Sequence, residues 1–479
     1  MNHKSILSPT RKQLILVLGS ITYLALAFIA FYFYKERTAY MDVAFRIFHI
    51  VRNGELAIQA GRFGEALTQW IPLAGVHFEL SIKQVAQLYS VGVVAYYFVL
   101  FLICHLVLKQ PRFALLLVLS NVFMVSYTFW WMQIEFAQAI ALSIVFMAWM
   151  CKEKRLDRFF SWKAIPLLLL FHTLFYFHPL LPILLVFFIL FFRLQSTNCI
   201  EAKLAYALIG LLVVEYLVRA LFLGNSNYDS NAMKGLDNFA RQFPNYIDLP
   251  ANHNFLSYCW TDYYLLPIGL VIVLAIYILQ RQYLRLGLML AFFLGYLLLV
   301  NVSNYKGMDQ FHIESFYLPL SLFVLCPLVF DGFPKIKSPL IFTLFLGGIL
   351  LLRTHHIYSL HTPYTARVDY YEKLIAEVKS WEHQKVIFPK SAVPMDTLWQ
   401  VWASAQEMWL LSTIADPESP SSILISGKSA EKLGWRLDKS KVFLTEWGVF
   451  EYDKLPNAYF NFEDRKTKYV LLTETGLQE

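Results

Sequence analysis

Apolar residues fall mostly into long, nearly unbroken runs along this chain, and about 20 of them in a row are enough to cross a bilayer. That pattern predicts an all-α polytopic membrane unit over residues 1–353 with about eleven transmembrane helices. They lie near 14–34, 86–108, 112–131, 133–151, 164–177, 179–192, 204–223, 262–280, 284–301, 314–331 and 338–353. The stretch 164–192 is too long for one span and short for two. His178-Pro179 and Pro182 interrupt it and basic residues flank both ends, so it reads as a hairpin with His178-Pro179 at the tip.

From about Thr354 the pattern changes to short apolar runs at 385–388, 422–425, 442–444 and 469–472 that alternate with helical stretches at 370–381 and 396–412. This predicts a small α/β unit over 354–479. Trp399, Trp402 and Trp409 recur at helical steps in it, a stripe that is more often core than membrane interface.

Charge orders the spans. Lys4, Arg11 and Lys12, then Lys109 and Arg112, the group from Lys152 to Lys163, Arg193 and Lys203, Arg281 and Arg285, and Lys335 and Lys337 fall in short connections on one side, the cytoplasmic side by the positive-inside rule. The N-terminus is then cytoplasmic, and the long segments 35–85, 224–261 and 354 onward are extracytoplasmic. The first apolar run ends in Phe31-Tyr32-Phe33-Tyr34 without a cleavage site, so it is expected to stay as an anchor.

Of the 479 residues, 57% are hydrophobic and only 16% charged, well below the roughly one quarter of a soluble chain. The net charge of +7 is a topology signal and does not point to nucleic acid. The five cysteines have no CxxC spacing, which argues against disulfides and a zinc site.

The first outer loop carries two amphipathic helices. Over 40–53, Met41, Ala44, Phe45, Phe48 and Val51 form one stripe; Asp42, Arg46, His49 and Asn53 take the other face and Gly54 ends the helix. Next, Phe63, Ala66, Leu67, Trp70 and Ile71 oppose Arg62, Glu65 and Gln69, with Pro72 closing the run. Both read as helices lying in the membrane interface.

Two interfacial helices in the first outer loop, with an acid soon after the first span, resemble the GT-C superfamily of membrane glycosyltransferases. That superfamily includes oligosaccharyltransferases, protein mannosyltransferases and the aminoarabinose transferases of bacterial lipid A. The resemblance extends to a cytoplasmic N-terminus, a span count near eleven and an outward C-terminal unit. The family often carries paired acids at the loop start; here Val43 follows Asp42 and the nearest other acid is Glu36. The resemblance implies an inverting transferase at the outer face of a bacterial inner membrane, with a polyprenyl-phosphate-linked sugar donor and membrane lipids as its partners. Asp42 is then the general base, and Arg46, Arg62 and Lys306 are candidates for the leaving phosphate. No cofactor is expected, and a divalent metal is not favoured. The plain alternative makes Asp42 and Arg46 an exposed ion pair one turn apart, worth about 0.3–0.5 kcal/mol.

Polar residues inside apolar runs are costly and ask for a reason. Gln133, Glu135 and Gln138 fit either a cavity lining or a helix cap. Glu215 and Arg219 are spaced as an internal pair. His172 and His178 lie near the hairpin tip; His178 suits a phosphate or a sugar, or is a satisfied interfacial residue. In 304–320, Lys306 or His312 suits a carrier phosphate, whereas Asp309, His312 and Glu314 together would make a hard-metal site and a solvated loop is the default. Tyr228, Tyr246, Tyr258 and Trp260 suit sugar faces or an ordinary membrane interface. Three other functions compete: a lipid-linked glycan polymerase or ligase, a transporter or flippase, and a non-catalytic membrane scaffold. The chain lacks the repeated halves typical of transporters.

Overall fold

The computed structural model describes residues 8–59, 61–153, 165–195, 199–218, 234–428, 430–437, 439–462, 466–473 and 476–478. The first helix, α1 (Pro9–Tyr32), starts at Ser8, whose hydroxyl caps the Arg11 amide, with Pro9 in the first turn. After a break come α2 (Tyr34–Thr38), α3 (Met41–Asn53), α4 (Ala66–His77) and α5 (Ile82–Leu102), the last opened by a reciprocal Ser81–Gln84 capping box.

Among the described residues, six helical runs are long and apolar enough to cross a membrane: Pro9–Tyr32, Ile82–Val107, Glu135–Glu153, Tyr283–Ser303, Gln310–Lys335 and Pro339–Lys379. The pair Pro250–Thr261 and Leu265–Leu279, bent by 90°, makes a seventh if counted as one span. The hairpin expected over 164–192 has two short helices, Ile165–Leu174 and Leu181–Arg193, with His178 in the turn between them. Residues 154–164 and 219–233 lie outside the described residues, and with them fall Arg219, Tyr228 and most of the basic group before the hairpin. Glu215 pairs with the His172 ring at 2.8 Å.

The expected span at 112–131 departs most from its reading. Helix α6 (Pro111–Ser120) has ten residues and gives way to irregular backbone before α7 (Glu135–Glu153). Non-helical backbone at depth survives only if its polar groups find partners. Here three buried charges supply them. Arg353 donates to the carbonyls of Val122 (3.0 Å) and Val125 (2.8 Å); Arg37 donates to Phe129 O (3.0 Å). Glu314 accepts from the amides of Ser126 (2.7 Å), Tyr127 (3.1 Å) and Thr128 (2.8 Å). With both oxygens engaged in this way, Glu314 does not serve the metal alternative with Asp309 and His312.

Several basic residues of the short connections come together with backbone groups at one end of the bundle. Arg11 donates to Ile336 O and, at 2.9 Å, to Lys337 O; His105 meets Lys12 O at 2.9 Å; Arg285 pairs with Asp331 at 3.1 Å and donates to Leu194 O at 3.0 Å.

At the other end sits the α/β unit. Four runs read as strands form β1 (Lys385–Pro389), β2 (Ser422–Ser426), β3 (Val442–Leu444) and β5 (Val470–Thr473); β4 (Val449–Glu451) and β6 (Gly476–Gln478) join them. The main sheet has the order β2-β1-β5-β6, with β1 parallel to both neighbours and β6 antiparallel to β5, while β3 and β4 form a separate hairpin. The helix expected over 396–412 is split, Met395–Leu398 and Ser404–Ala415, so the three tryptophans do not share one helix face. Trp409 is fully buried and bonds Tyr459 O at 3.1 Å.

This unit covers the segment between α1 and α5 read as the first outer loop. Helix α3 was expected to lie against lipid, but Val43, Ile47 and Ile50 are buried along with Met41, Ala44, Phe48 and Val51. Phe48 packs against Trp409, Phe443 and Phe460. The apolar stripe thus meets a protein core. Helix α4, which runs through Pro72, keeps the expected polarity: Phe63 just before it, Leu67 and Trp70 are exposed, while Glu65, Thr68 and Gln69 are buried.

Candidate functional site

Asp42 enters the structure through a constrained piece of backbone. Tyr40 is extended, and Met41 takes φ 35°, a region that costs a non-glycine residue about 1–3 kcal/mol. The Met41 amide donates to the buried Glu407 carboxylate, which also pairs with Arg367 at 2.6 Å. A carboxylate of the α/β unit therefore fixes where α3 begins. Asp42 follows at once, half-buried, on the wall of a cavity of about 380 Å³.

The rest of that wall comes from distant parts of the chain. Arg46, one turn beyond Asp42, turns to Glu65 (2.9 Å) and Ala57 O, so the exposed Asp42–Arg46 ion pair does not form. Arg62 pairs with Glu135, the first residue of α7, which makes Glu135 a cavity-lining residue and selects that reading over the cap. The irregular segment held by Arg353, Arg37 and Glu314 delivers Trp131 and Gln133 to the same wall. His178 stacks on Phe136, with ring centroids 4.3 Å apart, and accepts from the Leu180 amide through Nδ1 at 3.2 Å. His312 lies in the first turn of the helix Gln310–Pro327, its ring parallel to Phe316 at 6.1 Å and near Trp131 at 5.2 Å.

Burial raises the Asp42 carboxyl above its ordinary range, against the pull of Arg46, the Trp131 indole and Arg62. It lifts Glu65 to about 7, opposed by Arg46 and Arg62. Both acids thus hold their protons more tightly than free carboxylates.

Asp42, Trp131 and His312 also line a second cavity of about 480 Å³, together with Asp309, Gln400 and Trp402. Through Met308 and Phe311 this continues into a cleft of about 510 Å³ lined by Tyr127, Asn254, Tyr258, Lys306 and Trp399. Lys306 is exposed here, its ammonium 5.7 Å from the Tyr305 ring centre, and does not reach the cavity of Arg46 and Arg62. The expected grouping of Lys306 with Arg46 and Arg62 on the leaving phosphate is corrected to that extent: the loop 304–309 turns its lysine away. Of the aromatic residues read in 225–262, Tyr258 lines this cleft, whereas Trp260 is 87% exposed.

Sequence reasoning did not select Glu65, Trp131, Arg367 or Glu407, whereas Gln133 lines the cavity as one of its two readings had it. Glu65 had a signal, sharing the polar face with Arg62. Arg367 and Glu407 had none, because each lies in an ordinary helical stretch far from residue 42 along the chain.

No family model, no curated protein and no solved structure matches this chain.

Proposed function

We propose that this protein is a membrane glycosyltransferase of GT-C type that moves a sugar from a polyprenyl-phosphate-linked donor to an acceptor hydroxyl. The observation that carries the reading is one cavity whose wall brings together a shielded carboxylate, Asp42, two guanidinium groups, Arg46 and Arg62, and the His178 ring. Asp42 takes the proton of the acceptor hydroxyl as its oxygen attacks the anomeric carbon from the face opposite the phosphate. The bond from that carbon to the phosphate oxygen breaks, its electron pair leaves with the polyprenyl phosphate, and the configuration inverts. General-base assistance of this kind contributes about 10²–10⁴ in rate. The new phosphate charge is met by Arg46, Arg62 and His178.

Phe63, Leu67 and Trp70, exposed on the outer edge of α4, give the donor's lipid tail an apolar surface to follow. In this reading the chain has close to eleven spans in a bacterial inner membrane, with the gathered basic end cytoplasmic and the α/β unit outside.

The test is release of polyprenyl phosphate from lipid-linked sugars extracted from native membranes, followed by mass spectrometry with purified protein in liposomes. Wild type releases it, and Asp42→Asn loses at least about 100-fold in rate while keeping its thermal stability. Full release by Asp42→Asn would remove Asp42 from the mechanism.

A further inference from the structure

We propose that the cleft beyond Asp42 is a saccharide subsite: the acceptor is itself a sugar, and Trp399 is the ring against which that sugar lies. The direction of transfer rests on the transferase reading above; the subsite has observations of its own.

Trp399 is the centre of a γ-turn, with φ 54° and ψ −58° and the Gln400 amide bonded back to Leu398 O at 2.5 Å. A γ-turn of this hand is rare and strained for a residue with a side chain, and it persists only where its surroundings impose it. They do so here through one side chain. Arg367 donates to Leu398 O and, at 2.9 Å, to Gln400 O, so its guanidinium spans the turn from both sides. The same Arg367 is paired with Glu407, which holds the Met41 amide ahead of Asp42. A single buried ion pair therefore fixes both the candidate base and the indole.

The indole is backed by Phe311, stacked at 5.5 Å and 13°, and remains half-buried on the cleft wall. Around it lie polar groups without protein partners. Among the described residues, no hydrogen bond or ion pair engages the side-chain amides of Asn254 and Gln400 or the carboxylate of Asp309. Asn254 comes so close to Gly307 (φ 81°) that a β-carbon there would sit 2.5 Å from its amide nitrogen; a glycine is needed for the amide to lie where it does. An aromatic ring sharing a cleft with an amide and a carboxylate, with a second amide in the adjoining cavity, is an arrangement that takes the C–H face of a pyranose and its hydroxyls together. A polypeptide acceptor would call instead for backbone pairing along an open edge. Asp309 and Gln400 share the cavity wall with Asp42, so a sugar on Trp399 can direct one hydroxyl toward the base.

Saturation-transfer NMR on the full chain in nanodiscs tests the subsite with four probes: methyl α-mannoside, methyl β-glucoside, chitobiose and the peptide acetyl-Gly-Ser-Thr-Gly-amide. At least one sugar should give a saturable signal, weakened about tenfold in Asn254→Ala and in Asp309→Asn, whose side chains support no other part of the fold, and abolished in Trp399→Leu. Asp42→Asn should still bind the sugar. No signal from any sugar, signals unchanged in the Asn254 and Asp309 variants, or binding of the peptide alone would overturn the proposal. The two readings fail separately: sugar binding without Asp42-dependent release rejects the transferase and keeps the subsite, and Asp42-dependent release without sugar binding does the reverse.

Discussion

Asp42 does its proposed work as an ionised base, and its burial sets the pH at which that form is lost. A carboxyl whose value lies above the ordinary aspartate value of about 3.9 is protonated earlier on acidification, so activity falls as pH drops through a midpoint higher than 3.9. The acid limb of the kcat/KM profile should therefore sit above the ordinary aspartate range; a limb at or below it would mean that the working base is a solvated group elsewhere. Much of this site was legible in the sequence. The family resemblance selected Asp42, Arg46 and Arg62, their cost and position beside apolar runs selected Glu135, His178 and His312, and all of them line one cavity. Lys306 stood out for the same reason and lies in the adjoining cleft, because a cue based on cost and position cannot tell which way a loop turns its side chain. The Arg367–Glu407 pair gave no cue, since its meaning comes from the backbone atoms it holds rather than from its spacing.

At the level of elements, periodicity located the helices and strands but not what covers them. An apolar stripe states that a face avoids water, and lipid and protein satisfy it equally. For α4 the stripe is the outer edge; for α3, built on the same pattern, it is the seam against Trp409, Phe443 and Phe460. The run at 112–131 misleads for a different reason. Its hydropathy is that of a span, yet its later part is irregular backbone stabilised by Arg353, Arg37 and Glu314, and a window average has no means of seeing partners hundreds of residues away. The strands at 385, 422, 442 and 470 were legible because short apolar runs between polar turns have few other readings.

The whole molecule has two unlike ends. One collects Arg11 and Arg285 with the carbonyls of Lys337 and Leu194 that they hold; the other brings the segment between α1 and α5, the irregular segment and the α/β unit around Asp42. If the first end is cytoplasmic, Ser391, exposed in the α/β unit, lies outside. Ser391→Cys in intact spheroplasts should then react with a membrane-impermeant maleimide, with the wild-type chain as the control, and protection until the cells are broken would reverse the orientation. In the proposed function, that arrangement puts the reacting groups where a greasy carrier can bring its phosphate to the edge of the bilayer. The most direct measurement is electron cryomicroscopy of the protein in nanodiscs with added undecaprenyl phosphate. The account predicts phosphate density between Arg46, Arg62 and His178, with the tail leaving past Phe63 and Trp70. An empty cavity, or lipid phosphate bound at the basic end instead, would contradict it.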